Sequence, residues 1–217
     1  MTRYLIIQVL ALAFCIPSLA TADTNTVTVC ASGCDFTSIP DAIDAASAGD
    51  VIEIEAGTHI VDSQILLGQG GVDKPLTIIG EVDADGTPLT SIQAASGTRC
   101  FYINGVVGPD TIIENLIITG GSGLNRGAGM YCKGDPTVIN CHFLDNAVAQ
   151  RGGGMYNDGG KPTLNNCTFT GNTAGSEGGG MFNVVSSSPT LTDCTFTSNS
   201  ALYGGGIYNF RSSSTLT

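Results

Sequence analysis

Arg126, Arg151, Glu177 and Tyr203 occupy one position in four copies of a recurring phrase, each immediately before a run of small residues rich in glycine. If the copies stack as β-strands do, about 4.8 Å apart, Arg126 and Arg151 place two guanidinium groups side by side with a carboxylate beyond them. Such a pair can receive the carboxylate of an acidic sugar. The same column also reads as a solvated corner in which Glu177 relieves the repulsion between two cations. No catalytic set assembles around it. Glycoside hydrolysis needs two carboxyl groups at a defined separation, whereas Asp135, Asp145 and Asp158 fall in different columns of the repeat. His59 and His142 are isolated, and no serine–histidine–acid set follows from spacing. The glycine runs lead into neither a lysine nor a helix, so they are not phosphate loops. No catalytic residue, metal ligand set or cofactor is assigned.

Three smaller groups have chemistry to weigh. Cys30 and Cys34 lie in Cys-Ala-Ser-Gly-Cys; in an exported protein this spacing points to a local disulfide. Zinc would need further ligands, and no histidine lies within twenty residues. Asp83, Asp85 and Gly86 make an acidic turn that is either a calcium ligand loop or an ordinary turn. Thr168 over Thr195 and Thr170 over Thr197 would form a small threonine grid of the kind ice-binding solenoids carry, although His142 and Leu144 interrupt it.

The elements that must position these residues are written in the repeat itself. Gly127-Ala-Gly-Met-Tyr131, Gly152-Gly-Gly-Met-Tyr156, Gly178-Gly-Gly-Met-Phe182 and Gly204-Gly-Gly-Ile-Tyr208 recur every 25 or 26 residues. Cys141, Cys167 and Cys194 keep the same beat, as do Phe143, Phe169 and Phe196, and Asn146, Asn172 and Asn199. A period of this length means that each unit stacks on the next and only the stack has a core. Within a unit, three short runs suit strands: Met155–Asn157, Pro162–Leu164 and Cys167–Thr170. Glycine and asparagine between them accept left-handed corners. No helical period of 3.6 occurs in the repeat. Alternation turns Cys167 and Phe169 inward, beneath Cys194 and Phe196 and above Cys141 and Phe143, with the threonines outward. Asn115, Asn140 and Asn166, with Asp193 as the departure, form a buried corner ladder whose amides pair between coils. Cys100 and Cys132 lie off the cysteine column, and a disulfide between them is left open.

Ahead of the repeats, Ser38–Ala48 reads as the one helix. Ser38 can cap it, Asp41 stands three residues on, and Pro40 is tolerated in the first turn. Ile39, Ala42, Ile43 and Ala46 form one apolar stripe, so the helix is a lid for the first coil. Residues 1–22 have the form of a cleaved export leader: Arg3, an apolar run from Leu5 to Leu12, and Ala20-Thr-Ala22. That run is too short for a membrane span, and no other stretch approaches the length. Without the leader, seven basic residues face 19 acidic ones. That balance argues against nucleic acid and anionic membranes as partners.

The run Phe36–Ala46 followed by Gly49-Asp-Val-Ile-Glu-Ile54 and Gly57-Thr-His59 resembles the N-terminal cap and first coil of pectin-lyase-like proteins. From Asn115 the Phe-x-x-Asn units (Phe143–Asn146, Phe169–Asn172, Phe196–Asn199), paired with the glycine runs, resemble the repeats of polymorphic outer membrane proteins. The third small residue is Gly rather than that family's usual Ala, and no transporter barrel follows. These resemblances imply an all-β, right-handed, single-stranded parallel β-helix with an N-terminal helical cap. The expected organisation is a leader at 1–22, a cap at 23–50 with its helix at 38–48, and coils at 51–217, regular from about residue 115. The last coil stops in mid-strand at Ser214–Thr217, which reads as a fragment of a longer chain or an end that meets a partner. The expected function is that of an exported, non-catalytic scaffold, secreted or held at the cell surface. Its partners would be extracellular polysaccharide or host surface molecules, met at Arg126, Arg151 and Glu177; outer-membrane anchoring is implied by the resemblance alone. The alternative is a polysaccharide lyase or glycoside hydrolase on the same fold.

Overall fold

The structure, a computed structural model, describes residues 24–217; the export leader expected at 1–22 lies outside them. The chain winds into a parallel β-solenoid with three long sheets of eight, six and six strands and a fourth of three. One coil is Met155–Asp158 in the third sheet, Thr163–Asn165 in the first, Thr168–Thr170 in the second and Thr173–Ala174 in the fourth. Each strand pairs in parallel with its counterpart one coil on, as in Met155↔Met181, Leu164↔Leu191 and Phe169↔Phe196. The repeat therefore sets the register directly.

Single left-handed residues turn the corners. Asn115, Asn140, Asn166 and Asp193 have φ between 47° and 58°, and the column Gly127, Gly152, Gly178 and Gly204 has φ between 58° and 66°. A left-handed residue is strained for most side chains; glycine and asparagine tolerate it best, which explains their placement. Gly154 meets a second demand. A Cβ there would lie 2.7 Å from the Gly180 carbonyl oxygen, so the backbone of the next coil passes where a side chain would stand.

Inside, one continuous apolar column fills the shaft. Phe143, Phe169 and Phe196 stack with ring centroids 4.5 and 4.6 Å apart, the strand spacing itself. Cys141, Cys167 and Cys194 lie beside them, and their thiols repeat one pattern of contacts to carbonyl oxygens at 3.3–3.6 Å. The Thr168 and Thr195 N–H groups donate to the carbonyls of Cys141 and Cys167, so these cysteines are immediate vertical neighbours.

The corner ladder exists, but in a different setting from the one expected. Asn140 donates to the Asn115 Oδ1 at 2.8 Å and Asn166 to the Asn140 Oδ1 at 3.0 Å. These residues are half-buried or exposed, because a left-handed corner carries its side chain to the rim. The buried ladder is the Phe-x-x-Asn column. The Asn172 Oδ1 accepts from the Asn146 backbone N–H and amide, both at 3.1 Å, and its own amide donates to Asn199 Oδ1 and to the Phe143 carbonyl. A third column, Asn157, Asn183 and Asn209, follows the third sheet.

The cap helix spans Ile39–Ala45, shorter than the 38–48 expected. Ser38 is its N-cap and Ala46, in extended conformation, ends it; the Lys74 ammonium donates to the carbonyls of Ile43 and Ala46 at that end. Ile39, Ala42 and Ile43 are buried against the first strands. Cys30 and Cys34 are joined by a disulfide. Cys100 and Cys132 are not: both are buried free thiols, at opposite ends of neighbouring strands, since Phe101 pairs with Met130 and Ile103 with Cys132.

Candidate functional site

The expected column is real. Arg126 pairs in register with Arg151, Arg151 with Glu177, and Glu177 with Tyr203. These residues do not stand at a bare corner. Arg126 and Arg151 close two strands of the fourth sheet, Leu124–Arg126, Ala147–Arg151 and Thr173–Ala174, which buries a small core of Ala128, Val148 and Ala174, and Glu177 and Tyr203 continue the column as isolated bridges. In the sequence the only trace of this sheet is the apolar Val148 and Ala174, each two residues after the Phe-x-x-Asn asparagine.

Past the glycine run lies a second feature, whose column the repeat shows but whose burial it does not. The outward residues of the third sheet, Tyr102, Tyr131, Tyr156, Phe182 and Tyr208, form a continuous ladder with centroids 5.3, 5.0, 5.2 and 5.6 Å apart. Tyr156 and Phe182 point outward yet are only 3% and 1% exposed. Cations cover the ladder. The Arg126 guanidinium lies 5.4 Å from the Tyr156 ring centroid, Arg151 5.3 Å from Phe182, and Arg99 5.0 Å from Tyr131. Each is within reach of the negative face of the ring, and stacking restricts a side chain that would otherwise sample many rotamers.

The charges are not equivalent. Arg151 Nε donates to Glu177 Oε2 at 2.8 Å, and that bond raises the arginine's pKa. Arg126 has no ion-pair partner among the described residues, because the position above it holds Arg151 instead of an acid. Arg99 is half-buried, its pKa lowered by desolvation, and its Nη1 makes no hydrogen bond. At the far edge of the ladder the Tyr131 hydroxyl donates to Asp158 Oδ2 at 2.7 Å, with Lys133 Nζ 4.0 Å from the same oxygen. Burial, and then that carboxylate, push the Tyr131 phenol well above its ordinary range. The face can hold an anionic group on the guanidinium edges of Arg126 and Arg151.

The other candidates resolve more simply. Asp83 Oδ1 accepts from the N–H groups of Asp85 and Thr87, an ordinary turn satisfied within itself. His142 is half-buried on the outer side of the second sheet, and desolvation lowers its pKa. Thr168 and Thr170 lie over Thr195 and Thr197 as a two-coil patch, preceded by His142 and Leu144. Glu53, Glu55 and Glu81 line a separate cleft of about 390 Å³ on the first sheet. Among the described residues no helix is long and apolar enough to cross a membrane. No curated protein and no solved structure matches the chain at a significant level. The family described as the right handed beta helix region matches residues 88–217, well over half of the chain, and the protein belongs to it.

Proposed function

We propose that this chain is an exported, non-catalytic β-helical scaffold, secreted or at the cell surface, that contacts acidic carbohydrate through its arginine-covered aromatic face. The observation that carries the reading is the pair Arg126 and Arg151, one coil apart in register and each fixed on an aromatic ring. Glu177 on Arg151 is an internal example of the carboxylate such a guanidinium takes, and Arg126 offers the same surface with no acid on it. The repeats that resemble those of polymorphic outer membrane proteins support a surface location, and the leader-like residues 1–22 support export.

The test is calorimetric titration of the chain with oligogalacturonate, together with an assay for unsaturated or reducing ends. Binding without product is expected. Arg126→Ala should weaken it about tenfold, the worth of one charge-assisted contact of about 1.4 kcal/mol. A second reading, a glycoside hydrolase, is favoured by the cleft of Glu53, Glu55 and Glu81. Release of sugar product abolished by Glu53→Gln would establish it in place of the scaffold. Absence of any binding, or binding unchanged in both Arg126→Ala and Arg151→Ala, would refute the carbohydrate-contacting face.

A further inference from the structure

The three long sheets do not begin at the same height. The first sheet has an extra rung, Thr26–Val29, beneath Val51–Ile54. After Val29 the chain leaves the solenoid through the disulfide loop and enters the cap helix. The second sheet therefore starts at Gly57–Val61, one rung short, with nothing paired below it among the described residues. The register with Thr90–Ala94 turns the backbone groups of Gly57, His59 and Val61 upward into the sheet, as in Gly57 N–H to the Leu89 carbonyl at 3.1 Å. By the alternation of a parallel ladder, those of Thr58 and Ile60 point the other way. No described backbone or side-chain group hydrogen-bonds to either.

The missing rung is a space. A cleft of about 670 Å³ separates this edge from the cap, with Cys30, Ser38, Pro40 and Asp41 on one wall and Glu55–Ser63 on the other. Its volume falls within the roughly 300–1,000 Å³ of ligand sites. Edge strands in stable proteins are usually blunted by lysine, proline or a covering element. This one carries none of those: it is Gly-Thr-His-Ile-Val, with Ile60 66% exposed. The charge of the walls selects the occupant. Asp41, Glu55 and Asp62 line the cleft and no lysine or arginine does. With a net charge of −11, a second copy of this chain is a poor electrostatic match.

We propose that the open edge of Gly57–Val61 and the cleft beneath it form a β-augmentation site for an extended, basic strand of another protein. The strand lies parallel to the edge and completes the first rung of the second sheet. Its backbone bonds the groups of Thr58 and Ile60. Alternate apolar side chains enter below His59 and Val61, at the foot of the column that continues upward as Ile92, Ile118 and Phe143. Lysine or arginine side chains on the other face meet Glu55 and Asp62. This site is on a different sheet from the arginine face and does not depend on it.

The probe is a fluorescent heptapeptide of alternating lysine and valine, compared with its glutamate–valine counterpart and with a lysine–valine peptide broken by a central proline. Anisotropy with the full chain should show saturable binding of the first peptide and at least tenfold weaker binding of the other two. Amide exchange at Thr58 and Ile60 should be fast in the free protein and slow at least tenfold with the peptide, while amides of the arginine face do not change. Ile60→Pro removes an N–H that the fold does not use and should abolish binding. The double variant E55Q/D62N, which leaves the backbone edge intact, should weaken it at least tenfold. Equal binding of the proline-broken peptide would overturn the proposal, as would Thr58 and Ile60 amides already protected in the free chain. So would sedimentation showing that the free protein self-associates through this edge.

Discussion

Substitution should separate the corner asparagine ladder from the buried Phe-x-x-Asn ladder by mechanism. Asn172 is fully buried and makes four hydrogen bonds with its side chain. Replacement by Ala leaves the buried Asn146 N–H without a partner, while Asn146 Nδ2 keeps the Ile118 carbonyl and Asn199 Oδ1 keeps the Asn172 N–H. One orphaned buried donor at about 1–3 kcal/mol, plus three bonds at about 0.5–1.5 kcal/mol each, gives a loss of about 3–7 kcal/mol. For a domain of this size that lowers Tm by about 10 °C. Asn172 is not left-handed, so Gly does no better than Ala there. Asn140 is the opposite case. Its φ is 47°, and its amide donates at a half-exposed rim where water replaces the lost partners. Asn140→Ala should cost about 1–2 kcal/mol from the left-handed backbone, and Asn140→Gly should recover most of that. Thermal and urea melts of the four variants decide the matter. An Asn172→Ala protein within 1 kcal/mol of the parent, or Ala and Gly tied at position 140, would refute this account of the ladders.

Alkaline stability offers a second test. Burial pushes the Cys100 and Cys141 thiols up to about 12, and that of Cys132 higher still, against an ordinary value of 9.0. Their folded pKa values are raised, so the contribution is complete below pH 9 and is lost as pH rises from there through about 12. Urea melts should show stability falling by up to about 4 kcal/mol per pH unit above that point for three such thiols, and Cys141→Ala should flatten the slope by about a third. Cys194 behaves differently: it is half-buried, and the neighbouring Cys167 thiol lowers its pKa. Among the five free cysteines of the described residues, iodoacetamide at neutral pH should label Cys194 first, read by peptide mass mapping. Lys74→Met removes the ammonium from the carbonyls of Ile43 and Ala46 and should loosen the cap helix by about 1–2 kcal/mol, seen as roughly tenfold faster amide exchange at Ala46.

What could be read from the sequence is what a stack obliges to repeat. Met155 must lie between Met130 and Met181, and Phe169 between Phe143 and Phe196, so any drift in those columns would leave a void or a clash on two coils at once. The fourth sheet was harder to see because its strands, such as Thr173–Ala174, are two to five residues long and bury only small side chains. The aromatic ladder was visible as a column, yet nothing in its spacing told that Tyr156 and Phe182 are buried on the outside. Their cover comes from Arg126 and Arg151, each reaching to the ring of the following coil, a contact that links units and leaves no period within one. Nor could the corner asparagines be told from the buried ones by type. Only the backbone, left-handed at Asn140 and not at Asn172, separates them.

The same reasoning locates where a solenoid can specialise. An inward residue has a neighbour above and below and must match both, so the Cys and Phe columns change little along the stack. An outward residue need not fill a closed shaft, and in the arginine column the repeat departs from itself: Arg126, Arg151, Glu177 and Tyr203 share one column with four side chains of three types. The first rung is the other place free of that constraint, since it has a neighbour on one side only. His59 stands there at the foot of a column that is otherwise Ile92, Ile118 and phenylalanine, a polar ring where every later coil is apolar. Such an exchange is tolerable only where water or a partner reaches the position, and the cleft beneath Gly57–Val61 supplies that access. The two proposed sites, the arginine column and the open lower edge, both lie where the stack leaves this freedom. Substitutions in the Cys and Phe columns should change stability and leave both binding readouts intact at temperatures where the variant is folded.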